Sequence, residues 1–540
     1  SGRSSAGSRI ITDMSGTERK KDIIPLWTYH TQDRLFAENR KKEDDMNTLN
    51  EDTERYLAVI DLGTCKTALA VARVLGDNIQ ILFYRTAPSA GMRNSAVLNI
   101  AKVEKVVRSL VSEAENELKI KILQVAVGLP RCDVQQRMAS GEFPRANADD
   151  FITEDEIRML KEMAMDDSKL DKPENEMIYG AVAQSFATPE YIQLSENDIV
   201  GMVSPSFTGN FKIFIGKRSS VNSLYKVFDD LGIAIVRTYF SPIAAARAVL
   251  TDEELQNGVA LIDLGAGATS IAIYIDRILA HYSSIPFGGD VVTSDIRSEC
   301  TISDRLAENI KKAFGGCLPD KLQTLGDKII QVETDSSNIS NQIPVRYLSQ
   351  IITAREQEIL DAMLYFIQES GLSEYLRKGV VITGGGAEML HIGNFLRDMS
   401  GYTVRTGYPK GGFVATGCEG ILSTEAVCTA GMVLMAKEDN LNCCLALPAE
   451  ENAGETAEVK EEVEEPAADT VAAEEAAEVP AGNEGDGEPE AEEKEEEKHD
   501  EEKKDGDAGD REKKKSGDGL LSKVRWSFAK MFNDMNNETV

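Results

Sequence analysis

Two aspartates in near-identical surroundings are the residues best placed to do chemistry. Asp61 lies in Ile60-Asp61-Leu62-Gly63-Thr64, and Asp263 lies in Leu261-Ile262-Asp263-Leu264-Gly265. Each ends an apolar strand and opens a glycine turn, Gly63 with Thr64 and Lys66 in one copy, Gly265 with Gly267 in the other. A carboxylate at a strand end can hold Mg²⁺ through water or orient a hydrolytic water. Glycines let backbone N–H groups approach a phosphate, and Lys66 could add its charge there. A tight β-turn beside a solvated Asp would read the same way in either copy alone. Two copies about 200 residues apart suggest two related domains, each giving one hairpin to a polyphosphate cleft. A third stretch, the strand Val380–Thr383 running into Gly384-Gly385-Gly386 and a helix from about Glu388, fits an opposite wall of that cleft. Taken by itself it is also an ordinary strand-to-helix turn.

These turns need strands and helices to hold them. The first hairpin continues into a strand over Ile79–Arg85, a helix over Ile100–Leu118 and a strand over Ile122–Val127. The helix repeats Val103, Val106, Val107, Leu110 and Val111 on one face. Pro130 to Gly216 changes character and reads as an inserted α+β module, with a helix over Glu154–Met165 capped by Thr153. Strands are expected at Glu176–Tyr179 and Phe211–Ile215, and helices at Ser223–Leu231 and Pro242–Leu250 flank a strand over Ile233–Phe240. In the second half, the strand from Val259 and its partner are followed by Phe287-Gly288-Gly289-Asp290, a helix over Val291–Ser298 and a helix over Arg305–Ala313 capped by Ser303. Gln323–Tyr347 reads as a β-rich insert with a turn near Asp335–Asn338, followed by a long helix over Ala354–Glu369. The class is α/β, with first-lobe parts at 51–129 and 217–257, the insert at 130–216, second-lobe parts at 258–289 and 366–437, and a small subdomain at 290–365.

Of 540 residues, 28% are charged, and the net charge is -32. Roughly two-thirds of that charge falls in an acidic run over 438–518, which reads as a disordered linker. Residues 1–50 are polar and aperiodic and read as a disordered extension. No domain is strongly basic, so nucleic acid is not expected as a partner. The 8 cysteines form no C-x-x-C pair and histidines number 4, which argues for reduced cytosolic thiols over zinc or disulfides. No apolar run is long enough to span a bilayer.

Taken together, these motifs resemble the actin-like ATPase superfamily, and within it the bacterial cell-division family FtsA. The resemblance covers roughly 56–437 and includes Ile285-Pro286-Phe287-Gly288-Gly289-Asp290-Val291-Val292-Thr293 and Val381-Ile382-Thr383-Gly384-Gly385-Gly386-Ala387. It implies a two-lobed actin-like fold with the insert at 130–216, and ATP with Mg²⁺ between the lobes. Asp61, Gly63, Thr64 and Lys66 would serve the first phosphate motif, Asp263, Gly265, Gly267 and Gly288 the second, and Gly384, Gly385 and Gly386 the adenosine motif. Glu308 and Lys311, three apart on one helix face, would line the nucleoside pocket. Asp61 and Asp263 would hold the metal through water, with Asp263 as the catalytic carboxylate. One departure stands out: Gly267-Ala268-Thr269-Ser270 replaces a usual Gly-Thr-Thr-Asp, which implies slow hydrolysis at most. The implied partners are the C-terminal peptide of the tubulin-like protein FtsZ, received at 290–365, further copies of the chain in a filament, and other division proteins. A sugar-kinase-type phosphotransferase and a chaperone-like ATPase share the fold. This chain shows no clear catalytic Asp for the former, and an acidic linker stands where the latter carries a peptide-binding domain.

The last stretch, 519–535, reads as an amphipathic helix. At about 100° per residue, Leu520, Leu521, Val524, Phe528, Met531, Phe532 and Met535 share one arc, with Lys523 and Lys530 away from it and Trp526 off it. Such a helix is too short and too charged to cross a bilayer and is expected to lie in an anionic lipid surface instead. The expected location is the cytoplasmic face of the membrane at the division site, reached through the 438–518 linker.

Overall fold

A computed structural model describes residues 54–446 apart from 146, 167–172 and 334–339. The expectations for 1–50, for most of the acidic linker, for the turn at Asp335–Asn338 and for the helix at 519–535 lie outside these residues.

The first lobe opens with three antiparallel strands, β1 (Arg55–Leu62), β2 (Lys66–Leu75) and β3 (Asn78–Pro88). A two-residue hairpin, β4 (Met92–Arg93) with β5 (Ala96–Val97), leads to α1 (Ile100–Leu118), whose first turn is capped by Asn99 accepting from the Lys102 amide at 3.1 Å. The apolar stripe of α1 buries Val103, Val107, Leu110 and Val111, and Val106 packs half-buried beside them. Two short strands follow, β6 (Ile120–Ile122) and β7 (Gln124–Leu129). β7 lies parallel to β1.

The chain then leaves the lobe. β8 (Gln135–Pro144), α2 (Glu154–Ala164), β9 (Glu176–Ala187), the four-residue α3 (Glu196–Ile199) and β10 (Ser206–Lys217) form a three-stranded sheet in the order β8-β10-β9. Thr153 and Glu156 cap α2 reciprocally. The module has its own core, in which Phe186, Phe207, Phe211, Ile213 and Leu160 are buried. Sequence reading missed β8 because QQRMASGEFP carries little alternation, and its burial pattern is correspondingly weak. The strands β9 and β10 are also longer than expected, since sheet pairing extends them beyond their apolar cores.

Through α4 (Arg218–Leu231), β11 (Ala234–Phe240) and α5 (Ser241–Val249) the chain returns. β11 joins β7 in parallel, giving the order β11-β7-β1-β2-β3. The short α6 (Asp252–Asn257) precedes the second lobe, where β12 (Val259–Leu264), β13 (Thr269–Ile275) and β14 (Ile278–Ile285) run antiparallel. Next come α7 (Gly289–Cys300), α8 (Asp304–Phe314), the hairpin β15 (Ile329–Glu333) with β16 (Ser340–Pro344), and α9 (Val345–Glu369). α9 begins at Val345, not at Ala354. Val345, Leu348 and Ile352 are buried on α9, so its apolar stripe reaches back into the stretch expected to be β-rich. Then β17 (Val380–Thr383), α10 (Ile392–Ser400) and β18 (Val404–Thr406) complete a sheet in the order β14-β13-β12-β17-β18, with β12, β17 and β18 parallel.

Both large sheets therefore have the same plan: three strands of an antiparallel meander, then two parallel strands on the far side of the first. The duplicated motif in the sequence corresponds to a duplicated sheet. Between them lie α5 and α11 (Val427–Glu438), whose alanines, with Val249 and Met432, form a core shared with both lobes. The last strand, β19 (Cys444–Ala446), pairs with β6 in the first lobe. Beside it, the Cys443 amide donates to the Tyr56 carbonyl at 2.6 Å and the Tyr56 amide donates to Asn442 Oδ1 at 3.1 Å. Among the described residues no helix is long and apolar enough to cross a membrane. None of the eight cysteines forms a disulfide.

Candidate functional site

The β1–β2 and β12–β13 turns are built alike. In the first, the Gly63 amide donates to the Lys66 carbonyl at 3.0 Å; in the second, the Gly265 amide donates to the Ala268 carbonyl at 3.1 Å. Each turn is braced from behind. Ser89 Oγ donates to the Gly63 carbonyl at 2.8 Å, while the amides of Gly289 and Asp290, at the start of α7, donate to the carbonyls of Gly265 and Ala266, both at 2.9 Å. The two tips meet. A Cβ on Gly267 would stand 2.6 Å from Thr64 Oγ1, so only glycine admits the first-lobe threonine. Gly288 is equally constrained, since a Cβ there would fall 2.7 Å from the Ala266 carbonyl oxygen.

Around these tips opens a cleft of about 500 Å³, the size of a small-molecule site. Its lining includes Asp61, Gly63, Thr64, Lys66, Asp263, Gly265, Glu308, Lys311 and the run Gly384 to Gly386. Thus three glycine turns separated widely in sequence converge on one cavity. Gly267 and Gly288 stand apart from the lining: the first receives Thr64, and the second packs behind the turn. Lys66 Nζ lies 2.8 Å from Glu425 Oε1, and Glu425 belongs to the segment leading into α11.

The third turn differs from the sequence expectation. Gly384 has φ of 84° and donates to the Thr424 carbonyl at 3.2 Å. Gly385–Glu388 form one 3-10 turn, and α10 begins only at Ile392. The break comes from His391, whose φ of 66° is left-handed, and from the Leu390 carbonyl, which accepts from the Cys317 amide at 2.8 Å instead of entering a helix. The cleft wall here is a glycine-rich 3-10 turn, so the expected helix N-terminus is displaced by a turn.

At the other end of the cleft, Glu308 and Lys311 sit on α8 and pair at 2.7 Å. Lys311 Nζ also donates to the Gly289 carbonyl at 2.8 Å and to Thr293 Oγ1 at 2.7 Å, while Thr293 donates to Glu308 at 2.5 Å. Burial works against the Glu308 carboxylate, but the bonds from Lys311 and Thr293 outweigh it and hold its pKa down. The opposite holds for Glu356 on α9. It is 4% exposed and lines the same end, and burial pushes its pKa up to about 7, against the weaker pull of Lys311. Sequence reading passed over Glu356, although it interrupts an apolar stripe of Leu348, Ile352, Ile359, Leu360 and Met363.

The acidic pair lies at the cleft floor. Burial raises the pKa of Asp61, opposed by Arg131 and Lys66. Asp263 is 8% exposed and bonded to Arg131 Nη1, and Cys428 Sγ lies 3.8 Å from its Oδ2. Buried beside these carboxylates, the Cys428 thiol has its pKa pushed well up. Arg131 went unnoticed in the sequence; its signal is a position just past the carboxyl end of β7, where open α/β sheets place ligand-contacting residues. Ala268 and Ser270, the departures in the second motif, are buried. Ala268 contributes its carbonyl to closing the turn, and Ser270 stands opposite Asp263 across the β12–β13 ladder. As a donor set, two carboxylates with glycine carbonyls nearby suit a hard cation such as Mg²⁺. Gly384 keeps clear the space beside Asp263 that a Cβ would fill.

Comparison with known proteins bears on the whole assembly. Residues 260–430 match the family model described as cell division protein FtsA. Cell division protein FtsA of Neisseria meningitidis serogroup B is 31% identical over 362 residues, which are 67% of this chain and 85% of that protein. The FtsA proteins of Streptococcus pneumoniae and Bacillus subtilis are 26% and 25% identical over 360 and 357 residues. These stretches cover 66% of this chain in each case, and 76% and 79% of those proteins. With its duplicated sheets, inserted module and converging glycine turns, the chain has an actin-like fold and belongs to the FtsA family of cell-division proteins.

Proposed function

We propose that the chain binds ATP with Mg²⁺ in this cleft, polymerises under nucleotide control, and tethers tubulin-like FtsZ filaments to the cytoplasmic membrane at the division site. The observation that carries the nucleotide reading is the convergence of three glycine turns, from two sheets of one plan, on a single cavity with a carboxylate at the end of each first strand. In this reading the backbone of Gly63 and Gly265, with Lys66, takes the phosphates, and Gly384–Gly386 with Glu308 and Lys311 take the nucleoside. Asp61 and Asp263 would hold Mg²⁺ through water. A bound Mg²⁺ supplies neutralisation of phosphate charge. Asp263 is the candidate to orient an attacking water. Ala268 and Ser270 leave the second motif short of a hydroxyl and a carboxylate, which supports binding with slow turnover. Calorimetry with ATP and Mg²⁺, alongside phosphate release, tests both halves. The expected result is binding with turnover far below about 10 s⁻¹, the usual enzyme scale; turnover at that scale overturns the slow-hydrolysis half, and absence of binding overturns both.

The partner assignments rest on family membership and on the sequence outside the described residues. The FtsZ C-terminal peptide is assigned to 290–365, so deleting that region should abolish peptide capture. For the membrane, Phe528→Asp with Phe532→Asp should release the protein from anionic liposomes in flotation while ATP binding persists. A double variant that still floats places the anchor elsewhere.

A further inference from the structure

Arg131 has no part in the nucleotide reading, yet it lines the cleft. It follows β7 in the first lobe, and its guanidinium bonds to Asp263 in the second. Its main-chain carbonyl accepts the hydroxyl of Tyr282, which is buried and stacks edge-on against Phe240 with centroids 4.9 Å apart. The main chain of Arg131 is thus anchored independently of its guanidinium. A Cβ on Gly265 would collide with Arg131 Nη2, so the guanidinium rests on the bare backbone of the second phosphate turn. Arg131 lines the cavity together with Asp61, Gly63, Lys66 and Gly265. Burial disfavours its charge, but the Asp263 and Asp61 carboxylates more than compensate and raise its pKa, so it stays a cation.

We propose that Arg131, paired with Asp263, is a polyphosphate-binding residue whose guanidinium transfers to the phosphates of a bound nucleotide. A guanidinium offers five donors in a planar fork and bonds phosphate oxygens in pairs. The turn that would seat a phosphate is the turn the guanidinium already touches. Because Asp263 is also a proposed cation-holding carboxylate, the transfer would leave its oxygens available to a bound Mg²⁺. The ion pair between the lobes is thereby exchanged for a phosphate bound from both lobes.

This rests on the nucleotide reading, and the test separates the two. The full chain and its Arg131→Gln and Arg131→Lys variants are compared by calorimetry with ATP and Mg²⁺, and by electron paramagnetic resonance with Mn²⁺ alone. Arg131→Gln should weaken ATP binding by about 10-fold or more, the loss of a charge-assisted contact. It should also tighten binding of Mn²⁺ alone, because Asp263 is released. Lysine keeps a charge but not the fork, and should weaken ATP binding by roughly 5-fold; it carries the test if the glutamine variant does not fold. Wild-type ATP binding that stays within about 2-fold in both variants overturns the role of Arg131 and leaves the nucleotide reading standing. If the wild-type chain binds no ATP, the nucleotide reading fails and the phosphate role falls with it. The Mn²⁺ arm still decides whether Arg131 holds Asp263: unchanged Mn²⁺ affinity in Arg131→Gln overturns that half.

Discussion

Glu356 is a carboxyl that stays largely protonated well above the ordinary carboxylate range, in a site whose neighbours are charged. Its folded pKa, about 7, stands above the ordinary carboxylate value of 4.5. Between those values the folded chain holds a proton that the unfolded chain releases, so stability falls as pH rises from about 4.5 to 7 and then levels off. Glu356→Gln should remove that slope, worth at most about 3 kcal/mol, as read by urea midpoints across the range. At the same scale, Gly384 combines a positive φ with a Cβ position 2.6 Å from the Leu264 carbonyl oxygen. Gly384→Ala should cost about 1–3 kcal/mol of stability through backbone strain, and ATP affinity should fall in calorimetry because the turn must shift. The glycines and aspartates were legible in the sequence because the motif occurs twice. Arg131 and Glu356 were not, since each takes its place from strands or helices that meet only in the folded chain.

At the scale of elements, the crossing of α5 and α11 carries the joint between lobes. Gly431 on α11 faces the Ala244 carbonyl of α5 so closely that a Cβ would overlap it. Ala244, Ala245 and Ala248 on one helix and Ala430 and Ala436 on the other leave the same small profile. Gly431→Ala should therefore push the helices apart and destabilise the chain by about 1–3 kcal/mol or more, measured as a drop in denaturation midpoint. Amide exchange should quicken in both helices before it does in the outer strands. Helix α1 was readable to its ends because its stripe, its Asn99 cap and its surface agree with one another. The start of α10 was not, because a hydrogen bond from Cys317, over 70 residues away in sequence, decides where Leu390 goes.

Across the whole molecule, the inserted module leaves the first lobe and leans on the second. Gln136 Nε2 meets His281 Nδ1 at 2.9 Å, Gln136 Oε1 accepts from the Tyr282 amide at 3.1 Å, and Gln184 donates to the Leu279 carbonyl at 3.2 Å. Burial, helped by the Lys212 charge, lowers the pKa of His281 to about 4. The unfolded chain binds this proton near pH 6.5 and the folded chain resists it, so His281 costs stability as pH falls from about 6.5 to 4. His281→Asn should flatten that acid limb in urea titrations, opposite in direction to the slope removed by Glu356→Gln. In the wild-type chain the two trends oppose each other over the pH range that they share. The module's existence was visible from composition, but its docking was not, since Gln136 and Gln184 carry no pattern that marks a partner.

The clasp of β19 on β6 has a mechanical meaning. Ala446 ends the described residues beside the start of β1, and the bonds joining Cys443 and Asn442 to Tyr56 tie this exit to the strand itself. β1 then runs straight to Asp61 and Gly63, a rod of about 25 Å at the usual rise per residue. Tension on the exit is thus delivered to the foot of the strand whose tip forms the first wall of the cleft. The clasp is only three residues long against the eight of β1, so under load it is expected to peel before either large sheet gives way. A tether hung from this edge, as the membrane reading requires, would couple force at the anchor to the seat of the phosphates along a single strand.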